Sequence, residues 1–219
     1  MKHNQRTIIY LTIAALTMGA GIYIIMQNKS KTTAYDNTNL KTVPSTVNES
    51  ATYKKYASLK GEAYDKAFLS GMTVYHSVAM NMGEQAGSST NREEILNLTA
   101  EMSEVQGRDM IKMIDLQTKF GYPVTNGHDM SNMGTASASM DDMSTMNEEL
   151  QGLSNEAFDK KFLEFLIIYH QDSIDMSRPA QTNAESQEVK NLARNITASQ
   201  RQRIDEMKRL QVEWGFVEK

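Results

Sequence analysis

The sequence predicts an all-α protein: a four-helix bundle built from two copies of an αα-hairpin and preceded by a transmembrane helix. The chain matches itself without a gap when it is shifted by 94 residues, so residues 59–121 align with 153–215. Within each copy, apolar residues recur at steps of three and four, the period of an α-helix. An uncharged apolar stretch at residues 7–26 adds the membrane helix.

Identical residues at equivalent positions carry the duplication. A repeated unit of this kind is one supersecondary element used twice. An αα-hairpin is apolar on one face and cannot bury that face alone, so we expect the two hairpins to pair in one bundle. The identical pairs include Asp65/Asp159, Phe68/Phe162, Leu69/Leu163, Tyr75/Tyr169, His76/His170, Met82/Met176, Leu98/Leu192, Gln106/Gln200 and Met113/Met207.

Cap residues predict where the longer helices begin and end. In the first copy, the second helix should span about residues 91–120. Gly121 and its counterpart Gly215 stand where a helix end favours a left-handed residue. One candidate capping box precedes the second helix of each copy: Thr90-x-x-Glu93 in the first copy and Thr182-x-x-Glu185 in the second.

The N-terminal apolar stretch, TIIYLTIAALTMGAGIYIIM, is just long enough to cross a bilayer as a helix. Lys2 and Arg6 precede it, so the positive-inside rule leaves a short cytoplasmic tail and places the rest of the chain outside. A cleaved signal peptide is the alternative. Its apolar region would be shorter and end in small residues, whereas residues 22–26 are mostly bulky, which favours an uncleaved anchor.

The domain organisation follows from these patterns. Residues after the anchor are rich in Ser, Thr, Asn and Lys and predict a flexible tether. The predicted segments are a cytoplasmic tail (1–6), a transmembrane anchor (7–26), a tether (27–52), the first hairpin (53–122), a Met/His-rich linker (123–149) and the second hairpin (150–219).

Composition excludes some functions. With 23 Lys and Arg against 27 Asp and Glu, the chain has no basic excess to attract nucleic acid. It has no Cys, so an exported domain must be held together by its own core instead of disulfides. Its 16 Met are the unusual feature of the composition.

Five of these Met lie in the linker, in the runs GHDMSNMG (127–134) and MDDMSTM (140–146). Neither run contains Leu, Ile, Val or Phe, so a core role does not explain these Met. Thioether sulfur suits Cu(I) or Ag(I), and imidazole suits both oxidation states of copper. The alternative is a linker with incidental Met. The candidate ligands are His128, Met130, Met133, Met140, Met143 and Met146.

Two histidines, His76 and His170, occupy the same position in the two copies. Across the pseudo-twofold axis of the bundle they could form a metal site, with Met82 and Met176 or the neighbouring Tyr hydroxyls as further ligands. The alternative is a pair of ordinary histidines, each hydrogen-bonded to a neighbour.

Met72, His76 and Met80 share a helix face at four-residue steps, so the first copy offers them as a second candidate cluster of soft ligands. Four helical Met, however, have a branched aliphatic residue at the equivalent position, which favours a core role for them. These pairs are Met72/Leu166, Met80/Ile174, Met102/Ile196 and Met110/Ile204.

The second copy resembles the ferritin-like bacterial family of domain of unknown function 305 (DUF305). The resemblance rests on the runs FDKKFL (158–163), YHQDSIDM (169–176) and LARNITASQRQRIDEM (192–207), and it extends to both copies, 59–122 and 153–216. Family members typically have a His-His pair where this chain has Tyr75-His76 and Tyr169-His170. The resemblance implies a ferritin-like bundle in an exported protein and, for relatives rich in Met and His, copper binding and copper tolerance.

Catalysis is not expected. A ferritin-like oxidase would need Glu-x-x-His motifs, and the chain contains none, nor a P-loop, a G-x-S-x-G motif or a Cys. We therefore expect a membrane-anchored extracytoplasmic protein that buffers or transfers Cu(I) or Ag(I). Its partners would be the metal ion, the membrane and an envelope protein. The alternative is a non-catalytic interaction module of the cell envelope that binds no metal.

Overall fold

The computed structural model describes residues 49–125, 145–146 and 148–217. The predicted tail, anchor and most of the tether lie outside these residues. Within them, no helix is long and apolar enough to cross a membrane. The principal helices are α1 (Ala51–Ser58), α2 (Glu62–Ser89), α3 (Glu93–Phe120), α4 (Asn155–Ser177), α5 (Ala180–Asn183) and α6 (Gln187–Glu213). The predicted all-α helical bundle is confirmed.

The four long helices form two hairpins, α2 with α3 and α4 with α6. Contacts between α2 and α4 show that these two helices are antiparallel. The Tyr64 hydroxyl donates to the Met176 carbonyl at 2.7 Å, whereas Tyr75, further along α2, meets Tyr169, an earlier residue of α4. Helices α3 and α4 therefore run in the same direction. The chain between them joins opposite ends of the bundle, as in bundles with one long crossover connection.

A pseudo-twofold axis passes between Tyr75 and Tyr169. These equivalent residues stack with ring centroids 4.7 Å apart, and the Tyr169 hydroxyl donates to the Tyr75 carbonyl at 2.5 Å. A residue can contact its own counterpart only close to the symmetry axis. The middle of α2 and the middle of α4 therefore meet at the centre of the bundle.

A second pair of equivalent residues fastens each copy to the other. The Asp65 carboxylate of α2 accepts hydrogen bonds from the backbone N–H groups of Glu185 and Ser186, at 3.1 and 2.9 Å, where α6 begins. Asp159 of α4 accepts from the Arg92 side chain at 2.9 Å, where α3 begins. Each first helix thus holds the start of the other copy's second helix, and two separate hairpins become one unit.

Methionines contribute to the core as predicted. Met72 is fully buried and Met102 is 3% exposed, so their core role is confirmed. Met110 is partly buried and packs against the core, while Met80 is partly buried. Because Met is unbranched and flexible, it fills the gaps that Leu or Ile fills in the other copy.

The predicted capping boxes are wrong. Thr182 lies inside the short helix α5, and its hydroxyl donates to the Pro179 carbonyl. The N-cap of α6 is Ser186, whose Oγ accepts from the N–H groups of the first helical turn. Thr90 instead ends α2, and Arg92, which makes no side-chain cap, precedes α3.

Both glycine predictions are confirmed. Gly121, with φ of 69°, ends α3 in the left-handed region, and Gly215, with φ of 72°, follows the end of α6. Glycine adopts this conformation without the steric cost that a Cβ adds.

Helix α1 was not anticipated, and it begins inside the predicted tether. Ser50 caps it by accepting from the Tyr53 N–H at 3.0 Å. The Ser50 hydroxyl also donates to Asp175 on α4 at 2.6 Å, and the Tyr56 ring enters the core with 3% of its surface exposed. Helical structure packed on the bundle is therefore present before the repeat begins.

Candidate functional site

His76 and His170 lie buried at the middle of the bundle, each 1% exposed. They directly follow Tyr75 and Tyr169, the residues that meet at the pseudo-twofold axis. Helices α2 and α4 therefore carry one histidine each close to the axis. The Nε2 atoms of both rings are buried without a hydrogen-bond partner. Buried polar atoms are nearly always satisfied, so two unsatisfied imidazole nitrogens call for an explanation.

His170 presents a lone pair at Nε2. Its Nδ1 lies 2.8 Å from the Leu166 carbonyl, one helical turn earlier, and a carbonyl can only accept. The ring proton of neutral His170 is therefore on Nδ1. Burial lowers the pKa of His170 to about 4; the bond to Leu166 opposes this shift, and the charges of His76 and Arg203 add to it. At neutral pH the ring is uncharged and able to donate its Nε2 lone pair to a cation.

His76 has a carboxylate beside it. Its Nε2 lies 3.6 Å from Oδ2 of Asp109 on α3, which is too long for a hydrogen bond but places the carboxylate beside the ring. The Asp109 side chain is 21% exposed, so it connects the buried ring to the surface.

Gln106 adds a further unsatisfied oxygen. It is 3% exposed, and its Oε1 has no hydrogen-bond partner. Gln106 precedes Asp109 by one turn of α3, so both side chains lie on the same face of that helix. Sequence reasoning noted Gln106 only as a repeated residue and missed Asp109. The sequence did contain a signal for Asp109: the two copies have the same histidine, but one has Asp109 where the other has Arg203.

The Met72 sulfur lies between α2 and α4, where it accepts from the Ser173 hydroxyl at 3.1 Å. Met80, the other sulfur of the candidate cluster, is partly buried on the same helix. Of that cluster, the structure thus brings Met72 to the interface between the two copies.

Met82 and Met176 do not converge on the histidines. Each lies seven residues beyond its tyrosine, Tyr75 or Tyr169, and the two helices are antiparallel. At 1.5 Å per residue, the two methionines are therefore on the order of 20 Å apart. They belong to different core clusters, Met82 with Phe158 and Met176 with Tyr64. One site cannot contain both.

The linker ligands are only partly in view. His128, Met130, Met133, Met140 and Met143 lie outside the described residues. Met146 is described: it is partly buried and packs against the core cluster that contains Leu150 and Phe158. At the N-terminal end of the linker, Thr125 is buried. Its N–H donates to the Gln117 side chain, and its hydroxyl accepts from it.

No group of three or more His, Asp or Glu side chains able to hold a metal ion occurs in the described part of the chain. A cation at the histidines would therefore need amide, thioether or water ligands as well. In the described part of the chain, four buried side-chain atoms have no hydrogen-bond partner, and three of them are His76 Nε2, His170 Nε2 and Gln106 Oε1. The donors thus fit a borderline cation, one that accepts both nitrogen and oxygen.

Fold and site together define a duplicated helical-hairpin bundle with two buried, unsatisfied histidines. The chain belongs to the family described as domain of unknown function (DUF305), whose sequence profile matches residues 25–117 and 65–211. The resemblance to this family that the sequence showed is confirmed. No curated protein is significantly similar to the chain.

Solved structures of similar fold include CopM in several forms. CopM in the Cu(I)-bound form is 26% identical, with a TM-score of 0.54, over 68% of this chain and 96% of that chain. CopM in the Cu(II)-bound form, also 26% identical, has a TM-score of 0.55 over 71% of this chain and 99% of that chain. A DUF305 protein from Streptomyces coelicolor is 20% identical, with a TM-score of 0.58, over 69% and 94% of the two chains.

Proposed function

We propose that the protein binds copper or silver outside the cytoplasm and buffers or passes on the metal without catalysing a reaction. The observation that carries the proposal is the pair of buried histidine Nε2 atoms without partners next to the bundle axis. An unsatisfied buried polar atom costs about 1–3 kcal/mol, and a cation bound to one of these nitrogens would offset its cost.

The similarity to CopM supports the choice of metal. CopM has been crystallised in Cu(I)-bound, Cu(II)-bound and Ag-bound forms, and the similarity covers 68–71% of this chain. The donor types of this chain agree with that range of ions. Thioethers of the linker suit Cu(I) and Ag(I), and imidazole suits copper in both oxidation states.

The linker methionines and the bundle histidines have different parts in this proposal. Met130, Met133, Met140 and Met143 supply sulfur ligands in a segment without aliphatic neighbours. The histidines supply nitrogen ligands in a rigid interior. Soft monovalent ions would therefore bind mainly to the linker.

Residues 7–26 would hold the domain at the outer face of the membrane as an uncleaved anchor. Membrane fractionation tests this part separately. An anchored protein stays in the membrane pellet after a high-salt and alkaline wash, whereas a protein with a cleaved leader is released.

Competition titration tests metal binding. The full-length protein is titrated with Cu(I) against a chromogenic Cu(I) chelator, alongside a variant with Met130, Met133, Met140, Met143 and Met146 replaced by Leu. We expect tight Cu(I) binding by the wild type and loss of most of its stoichiometry in the variant. A matched control replaces Met102 and Met113, which are buried core residues, by Leu and should leave the Cu(I) stoichiometry unchanged.

Two results would contradict the proposal. Unchanged stoichiometry in the linker variant would remove the linker as the Cu(I) site. No binding of Cu(I) or Ag(I) by the wild type at micromolar concentration would leave an anchored helical bundle whose role is interaction with another envelope protein.

A further inference from the structure

The two copies place opposite charges beside their histidines. Asp109 and Arg203 occupy equivalent positions of the repeat, 94 residues apart, on α3 and α6. Asp109 faces His76 at 3.6 Å, and the charge of Arg203 acts on His170. The duplication preserved both histidines while the charge next to them was reversed.

On the first side, the surroundings attract a cation. His76 Nε2 and Gln106 Oε1 are buried without partners, and the Asp109 carboxylate lies within reach of the ring. In the low dielectric of the interior, a carboxylate near a bound cation contributes more than it would in water. The partial exposure of Asp109 gives a path by which an ion could enter.

On the second side, a positive charge, that of Arg203, acts on the histidine. Arg203 is 13% exposed in its side chain and is held by two carboxylates, Glu101 and Glu206, each at 2.8 Å. These ion pairs hold the guanidinium between α6 and α3. A guanidinium keeps its charge at every physiological pH, so a second positive ion at His170 would meet a permanent like charge.

We propose that His76, Asp109 and Gln106 form a Cu(II) site in the first copy, and that Arg203 prevents an equivalent site at His170. The inference rests on the proposed copper function and adds to it. One nitrogen and two oxygens are a poor ligand set for Cu(I) or Ag(I), which prefer sulfur, and a suitable one for Cu(II), which lies at the top of the affinity order for divalent ions. The protein would then bind the two oxidation states of copper at separate places.

Exchanging the two charged residues tests the proposal. The background is the full-length chain with His3 and His128 replaced by Gln, which leaves His76 and His170 as its only histidines. Cu(II) is titrated against a competing chelator, and electron paramagnetic resonance reports nitrogen ligation. We expect one Cu(II) per chain, bound at least roughly ten-fold more weakly in D109N and H76Q, and little changed in H170Q.

The double variant D109R/R203D keeps the net charge and moves the carboxylate to the second copy. In this variant we expect Cu(II) binding to become sensitive to H170Q and insensitive to H76Q. R203D alone should raise the stoichiometry from one to two. Circular dichroism and thermal unfolding show whether each variant folds, and R203Q controls for loss of the ion pairs with Glu101 and Glu206 without adding a carboxylate.

Equal weakening by H76Q and H170Q in the background protein would overturn the inference, as would a D109R/R203D variant that still depends on His76. These failures differ from failure of the proposed function. Cu(I) binding by the linker methionines would persist in them, whereas the proposed function fails when the wild type binds neither Cu(I) nor Ag(I).

Discussion

Acid should destabilise the metal-free bundle through His170. The ring is fully buried, and desolvation lowers its pKa from 6.5 to about 4. In the unfolded chain His170 regains its ordinary pKa, so between pH 6.5 and pH 4 the unfolded state binds a proton that the folded state does not. Above pH 6.5 this group does not lower the free energy of unfolding. As the pH falls from 6.5 towards 4, it lowers that free energy progressively.

The magnitude follows from the same two pKa values. Each pKa unit corresponds to about 1.4 kcal/mol, so acidification across this window should cost the folded state about 3 kcal/mol. That is a large part of the 5–15 kcal/mol typical of domain stability. The fixed charge of Arg203 and any charge on His76 act in the same direction, since both oppose a proton on His170.

Urea denaturation with a chelator present measures this effect at pH 7, 5.5 and 4.5. The wild type is compared with H170Q, which keeps a polar side chain of similar size and cannot titrate. Carboxylates contribute to the pH dependence of both proteins, so the informative quantity is the difference between them. If the free energies of unfolding fall in parallel from pH 7 to pH 4.5, His170 is not held neutral by burial and the reasoning is refuted.

Two further substitutions test the packing that positions the histidines. Gly71→Ala should destabilise the fold by about 1–3 kcal/mol, because the new Cβ would lie 2.3 Å from the Tyr56 hydroxyl; thermal unfolding measures this. Gly87→Ala is the matched control, since no atom lies within 4 Å of its Cβ, and it should stabilise the helix by about 0.5–1 kcal/mol. Tyr169→Phe removes the hydrogen bond to the Tyr75 carbonyl and keeps the stacked ring, so urea denaturation should show a loss of about 1 kcal/mol. A stability equal to that of the wild type in both Gly71→Ala and Tyr169→Phe would show that neither the packing of Tyr56 on α2 nor the Tyr169–Tyr75 hydrogen bond stabilises the fold.

Much of the fold could be predicted because it depends on local pattern and on repetition. The helical period of apolar residues and the glycines at helix ends are properties of short segments. Prediction failed where two local signals competed. Thr182 and Ser186 both precede α6, and Pro179 decided between them by starting a separate turn that engages the Thr182 hydroxyl.

The candidate site could be predicted only in part. Repetition identified His76 and His170, and the structure buries both near the axis. The expectation that Met82 and Met176 could join the histidines in one site did not account for the directions of the two helices. In an antiparallel pair of helices, equal steps from the axis lead in opposite directions, so symmetry separates these methionines.

By itself, the sequence determined that one hairpin occurs twice, that its helices are amphipathic and that sulfur is concentrated in a thiol-free linker. These features are covalent or local, and no partner is needed to establish them. The tertiary structure alone decided which side chains surround each histidine. Asp109 lies 33 residues from His76, which it faces, and Arg203 lies 33 residues from His170, on which its charge acts. Only the packing of one helix against its neighbour brings them close enough for their charges to act on the imidazole rings.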